Sequence, residues 1–281
     1  MDLFQKMGQP GNWLLLPPPA DYTSNETVAT WFTIWAGGFA FLALPWVFKK
    51  LFKDHDAIPL LMWVGGLICS LLEPMLDHLG HLWWSHNLPG PAFSGYGLNI
   101  PYLIPPCYVF FIAMTGYWAY YKMKQGLTAG GAFKVWFLIS MTDVIMEIPG
   151  TSTHAYTYYG DAPFTILGFP LAWGWMNGAS MFMVGFLLWV VAPRLQGWRK
   201  AFIALVPISA MGAAYGITAW PYFLAINWPM PVFVAYLATI ASLLITLITI
   251  RLLGEVIEGR KPVASLRGSH ADAGLRGAAA R

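Results

Sequence analysis

Charge is scarce in this chain. Only 10% of its residues are Asp, Glu, Lys or Arg, against about a quarter in an ordinary soluble domain. A surface that wets must carry charge, so 281 residues with so little of it exclude a water-soluble fold. Cysteine is as scarce: Cys69 and Cys107 both lie in apolar stretches, too few for a disulfide framework or a cysteine-based metal site. A cleavable leader is not expected either. Met1–Ala20 has an apolar run only from Trp13 to Leu16, broken by Pro17-Pro18-Pro19, with no basic stretch before it. The first apolar span is therefore expected to serve as an uncleaved insertion signal. The net charge of +3 is small and its Lys and Arg sit between apolar stretches, which leaves no footprint for nucleic acid as a partner.

What the chain has in quantity is apolar and aromatic surface: 57% hydrophobic residues, with 15 Trp, 13 Tyr and 18 Phe, and a mean hydropathy of +0.55. Trp and Tyr concentrate at membrane–water interfaces. A helix needs roughly 20 apolar residues to cross a bilayer core of about 30 Å. Seven stretches qualify, near 27–48, 58–82, 101–121, 132–150, 164–191, 201–224 and 230–253. The fifth contains Pro170 and is expected to begin as an interfacial turn. Lys and Arg alternate strictly between the loops. Lys49, Lys50 and Lys53 lie after the first stretch, Lys122 and Lys124 after the third, Arg194, Arg199 and Lys200 after the fifth, and Arg251, Arg260 and Lys261 at the last. The other connections carry none. Basic residues stay cytoplasmic, so an all-α bundle of seven spans is expected, N-terminus outside and C-terminus inside, in a multi-pass cell-membrane protein. Its expected parts are an extracytoplasmic segment 1–26, a membrane domain 27–253 and a disordered tail 254–281. The basic-free loops hold Trp83-Trp84-Ser85-His86 and Tyr156-Thr157-Tyr158-Tyr159-Gly160, which read equally as a lid over the outer mouth or as an aromatic belt.

Of the 13 acidic residues, four fall inside spans: Glu73 and Asp77 in the second, Asp143 and Glu147 in the fourth. Each pair is spaced i, i+4, so its side chains stack on one helix face. Gly66, Gly80, His81 and Trp84 share the face of the first pair, and Trp136 and Ser140 that of the second. Counted along ideal helices, Glu73 and Asp77 sit roughly 23 and 29 Å from Ile58, and Asp143 and Glu147 about 17 and 23 Å from Ala132. All four fall in the outer half, where the two pairs can face each other. A charge at that depth is costly, and such residues turn inward and serve function. Without a cation at that depth the four cannot all be ionised, and a neutral acid beside an ionised one suits general acid–base work. The competing reading is that the acids satisfy backbone groups freed near Pro74 and Pro149.

Asp77, His78, His81, His86 and His154 raise a metal site. On a helix, however, His78 is turned about 100° from Asp77, and no metal or other cofactor is expected. His81 and His86 read instead as rim residues that hydrogen-bond or shuttle protons. The last span has no Lys and so cannot hold a retinal Schiff base. Asn177 and Tyr215 are inward polar residues suited to a ligand or to helix packing, and His81, Trp84, Tyr156 and Tyr158 complete the expected substrate-binding set.

Leu72-Glu73-Pro74-Met75-Leu76-Asp77-His78 is similar to the acid-Pro-Leu-Leu-Asn-Tyr motif of the avermectin spirocyclase-like family of membrane proteins. Asp143-Val144-Ile145-Met146-Glu147 followed by Tyr156-Thr157-Tyr158-Tyr159-Gly160 resembles that family's Asp-x-x-x-Glu helix and Tyr-Ser-Tyr loop. The second block, with Gly168-Phe169-Pro170-Leu171, also resembles membrane carotenoid hydratases. The resemblance covers residues 60–180, and Asp77 stands where the first family commonly has Asn. It implies acid–base chemistry (cyclisation, hydration or dehydration) on a lipophilic isoprenoid- or polyketide-like substrate in contact with membrane lipid. The residues alone leave a proton-coupled transporter or lipid-binding protein open, with the acids as a relay, as well as a structural subunit of a membrane complex.

Overall fold

The computed structural model describes residues 18–19, 21–160 and 162–259. The Trp13–Leu16 run and the chain from residue 260 lie outside them. Among the described residues, 74% are helical, and six helices are long and apolar enough to cross a membrane: Glu26–Lys53, Ile58–Gly80, Ala129–Ser152, Leu171–Arg194, Gly197–Thr218 and Val232–Gly259.

The first of these is two helices in line. In α1 (Glu26–Leu42) the Asn25 side chain caps the start, accepting from Thr27 N at 2.9 Å, and Glu26 sits in the first turn, where the helix dipole favours an anion. Then α2 (Leu44–Lys53) ends in Lys50 and Lys53. The second crossing joins α3 (Ile58–Cys69) to α4 (Glu73–Gly80) through one tighter turn at Ser70–Leu72. That break puts Pro74 in a first turn, where its missing N–H costs nothing, and leaves Glu73 and Asp77 together on one short helix.

The expected third span, 101–121, is helical but not uniform. A π-helical stretch, Val109–Met114, lies between α5 (Ile104–Tyr108) and α6 (Thr115–Lys124). Gly66 of α3 packs directly on its backbone: a Cβ there would lie 2.9 Å from Val109 N. Next comes α7 (Ala129–Ser152), capped by the Thr128 side chain on Gly131 N at 3.0 Å. The fifth stretch does begin as a turn, the hairpin of β-strands Thr165–Ile166 and Phe169–Pro170, before α8 (Leu171–Val191). After it come α9 (Val206–Thr218), α10 (Trp220–Asn227) and α11 (Val232–Gly259). The last helix runs past Leu253, where the disordered tail was expected to begin. Glu258 Oε2 there accepts from Ala129 N at 2.9 Å, tying the end of α11 to the start of α7.

The direction in which side chains point decides the environment. Along α11, Phe233 (65% exposed), Leu237, Ile240, Leu244, Ile248 and Leu252 form one exposed stripe. The opposite face buries Thr239, Ser242 and Thr246 completely, and Ser242 Oγ donates to Thr218 O at 2.7 Å. A helix in water shows the reverse pattern; small and hydroxylated residues inside with Leu and Ile outside is how helices pack in lipid. The chain is a helical, multi-pass membrane protein.

Candidate functional site

The two acid-bearing helices are joined over their ends by a ribbon. Strand β1 (Leu82–Trp84) leaves α4, strand β2 (Tyr156–Tyr158) leaves α7, and they pair antiparallel with Leu82 opposite Tyr158 and Trp84 opposite Tyr156. Side chains alternate across a strand, so Leu82, Trp84, Tyr156 and Tyr158 all turn inward and roof a cavity of about 80 Å³. The segment before α1 straps this roof down. Tyr22 OH donates to Tyr156 O at 3.1 Å, His86 N donates to Tyr22 O at 2.9 Å, and Ser24 N donates to Ser85 Oγ at 2.7 Å. The aromatic loops thus close one side of the cavity.

Glu73, Asp77 and Glu147 line the cavity beneath it, and each accepts a hydrogen bond from an aromatic side chain. Tyr108 OH donates to Glu73 Oε2. Trp84 Nε1 donates to Asp77 Oδ2 at 2.8 Å. Tyr156 OH and Tyr158 OH both donate to Glu147 Oε2, at 2.6 and 3.2 Å. Burial, reinforced by Glu147, holds both of these phenols well above their ordinary range, so they stay protonated donors at any working pH. Among the described residues the ion pairs are Lys50–Asp54 and Arg251–Glu255, both exposed; no cation reaches the acids. Glu73 and Asp77 are buried, while Glu147 is only half-buried.

Asp143 is placed differently from the expectation that it shares the site face with Glu147. It is fully buried and does not line the cavity. The cause is the close approach of α8: Gly174 and Gly178 let it press on Ser140, Asp143 and Val144, so that a Cβ on Gly174 would lie 2.8 Å from Val144 Cγ2. Asp143 Oδ1 accepts from Asn177 Nδ2 at 2.9 Å, and Asn177 Oδ1 accepts from Tyr215 OH. Asn177 and Tyr215 do line the cavity, so Asp143 acts on it through them.

No family model matches this chain, and no curated protein or solved structure matches it.

His81 also departs from its expected place on the substrate-binding face. It ends α4 in left-handed backbone, φ 59°, which carries its ring off the Asp77 face and away from the cavity. The ring stacks on Tyr159 with centroids 4.7 Å apart and planes 8° apart, and Nε2 meets Asn227 Oδ1 at 3.3 Å. His78, His86 and His154 lie against Tyr96, Trp83 and Tyr22 in turn. Among the described residues no group of three His, Cys, Asp or Glu is placed to hold a metal. Burial pushes His81 down to about 4, from the usual value of about 6.5. The docked ring therefore excludes a proton that the free ring takes up. The stabilisation that the docked neutral ring gives is full above about 6.5 and falls away as pH drops toward 4. The Tyr159 amide donates to His81 O at 2.8 Å, so its hydrogen exchange should accelerate over that interval beyond the intrinsic rate, and His81→Gln should flatten the dependence.

Trp173 lines the cavity beside Asn177, and so do Tyr108 and Phe32, which escape a reading of the sequence because aromatics inside apolar spans have the same pattern whether they pack or serve a site. Gly150 is a further hidden requirement. A Cβ on it would fall 2.6 Å from Tyr156 Cζ, so only glycine lets that ring lie flat on α7 and reach Glu147. Gly150→Ala, which in an open helix stabilises, is here expected to cost about 1–3 kcal/mol by overpacking. Thermal unfolding in detergent reads the loss.

Proposed function

We propose that this protein is an integral-membrane acid–base enzyme of the cyclase, hydratase or dehydratase type, working without a cofactor on a lipophilic isoprenoid- or polyketide-like substrate. One observation carries the reading: three carboxyl groups from two membrane helices line a single aromatic-roofed cavity that no cation among the described residues reaches. Three such groups in so small a space cannot all be ionised, so at least one carries a proton it can give up. Glu147, whose Oε2 accepts from two phenols, is suited to take a proton. Glu73, with the single donor Tyr108, is suited to give one. Asp77 is held by Trp84 and balances the charge between them. Trp84, Tyr156, Tyr158 and Trp173 present ring faces that favour a cationic intermediate. The motif resemblance to the avermectin spirocyclase-like family supports the same chemistry at Glu73, Asp77 and Glu147, with Asp143 positioning Asn177.

The reading includes seven crossings, with Ile104–Lys124 as the additional one, and the N-terminus outside. It rests there on the alternation of Lys and Arg between loops, which puts the acids and their lid toward the outer face of a cell membrane.

Lipid extracts of cells making the wild-type chain, Glu73→Gln, Glu147→Gln or no protein provide the test. A species that changes only with the wild-type chain is the expected result. Unchanged extracts, with a proton flux in liposomes that either variant abolishes, would replace the enzyme by a proton relay.

A further inference from the structure

The cavity is too small for the substrate class proposed above. At about 80 Å³ it falls well below the roughly 300–1,000 Å³ of pockets that enclose a whole organic ligand. It admits a reacting group and little more, so the rest of a lipophilic molecule must lie elsewhere. Beside it, between the outer ends of α1 and α7, is an apolar groove of about 400 Å³ bounded by Val28, Trp31, Pro149 and Thr153. Two residues, Phe32 and Trp35, line both spaces.

The partition between the two is thin and made of aromatic side chains. The rings of Phe32 and Trp35 are 5.8 Å apart, and Phe32 lies 5.9 Å from Tyr156, the phenol that holds Glu147. On the far side, Pro149 of the groove is two residues from Glu147 on the same helix, and Glu147 is the cavity acid that is only half-buried. The roof offers a harder way in, because lifting it breaks the β1–β2 pairing and the Tyr22 and Ser24 hydrogen bonds. Passage through the side wall asks only for rotation of two rings.

We infer that the Phe32–Trp35 wall is a lateral portal, and that the substrate is a single-chain amphipath whose reactive end reaches Glu147 while its hydrocarbon chain trails through the wall into the α1–α7 groove and the lipid. This rests on the acid–base reading for what happens at Glu147, but not for how the chain arrives.

Photolabelling tests it without turnover. The full-length protein in phosphatidylcholine liposomes is irradiated with hexadecanol carrying an alkyl diazirine near its hydroxyl end, and adducts are mapped by peptide mass spectrometry. Ile145, 68% exposed on the outer face of α7, reports ordinary lipid contact. Adducts on Met146 and Glu147 as well as Ile145 are expected in the wild-type chain. They should rise several-fold in Phe32→Ala and vanish in Val28→Trp, which fills the groove, while Ile145 labelling holds steady and shows that the variants are folded in the bilayer. Labelling confined to Ile145 and other outward residues in both the wild type and Phe32→Ala overturns the portal, and so do cavity adducts indifferent to Val28→Trp. Cavity adducts alongside unchanged cell extracts would support the portal and remove the chemistry; altered extracts without cavity adducts would do the opposite.

Discussion

Glu147→Gln is expected to lower product formation by about 10²–10⁴-fold, the range that a positioned general acid or base contributes. Glutamine keeps the shape of the side chain and an oxygen to accept from Tyr156 and Tyr158, which now bind at 2.6 and 3.2 Å, so the roof should stay in place. What is lost is the ability to take a proton. Tyr156→Phe and Tyr158→Phe each remove one of two donors and should cost less than the loss of the carboxyl itself. Glu73→Gln should cost as much as Glu147→Gln. Because both acids act in one event, the double variant should fall little below either single one. The measurement is product per unit of folded protein, by chromatography and mass spectrometry. A Glu147→Gln chain within a few-fold of wild type removes Glu147 from the chemistry.

The second large effect concerns stability. Asn177 joins two buried groups, giving its Nδ2 hydrogen to Asp143 and accepting from Tyr215. Asp143 Oδ2 already lacks a partner among the described residues. Asn177→Leu strips Asp143 of its donor and Tyr215 of its acceptor in one step. With about 1–3 kcal/mol for each buried polar group left unsatisfied, a loss of roughly 2–6 kcal/mol is expected. Asp143→Leu alone should be milder, since Asn177 keeps Tyr215. Adding Asp143→Leu to Asn177→Leu should recover part of the loss, because removing both partners of a buried hydrogen bond costs less than orphaning one. Thermal unfolding in one detergent completes the double-mutant cycle, and a coupling below about 0.5 kcal/mol would show that the pair does not act together.

These two effects mark where the sequence is readable and where it is not. Hydropathy exposes the crossings because lipid demands apolar residues along the whole length of a helix, and four acids against that background are conspicuous for the same reason. The split between Glu147 and Asp143 is invisible at that level. It depends on Gly174 and Gly178 of α8 drawing Asp143 into a helix contact, a fact about a neighbouring helix rather than about the acid. Helical periodicity puts His81 with Asp77, and one residue of left-handed backbone turns it away. Tyr108 escapes because a tyrosine within an apolar span has no signature until the carboxyl it serves is beside it. The third stretch has the hydropathy of a span, yet a π-helical segment interrupts it next to Tyr108, a feature often found at functional sites.

Mass balance tests the central claim most directly. Cyclisation, hydration and dehydration rearrange a molecule or move the elements of water and nothing else. Purified protein, reconstituted in liposomes with the total lipid extract of cells that lack it, should convert one species into another that is isomeric or differs by water alone. Glu73→Gln and Glu147→Gln should leave that species untouched. No conversion by the wild-type protein, or a product differing by two hydrogens or a single oxygen, would contradict the account.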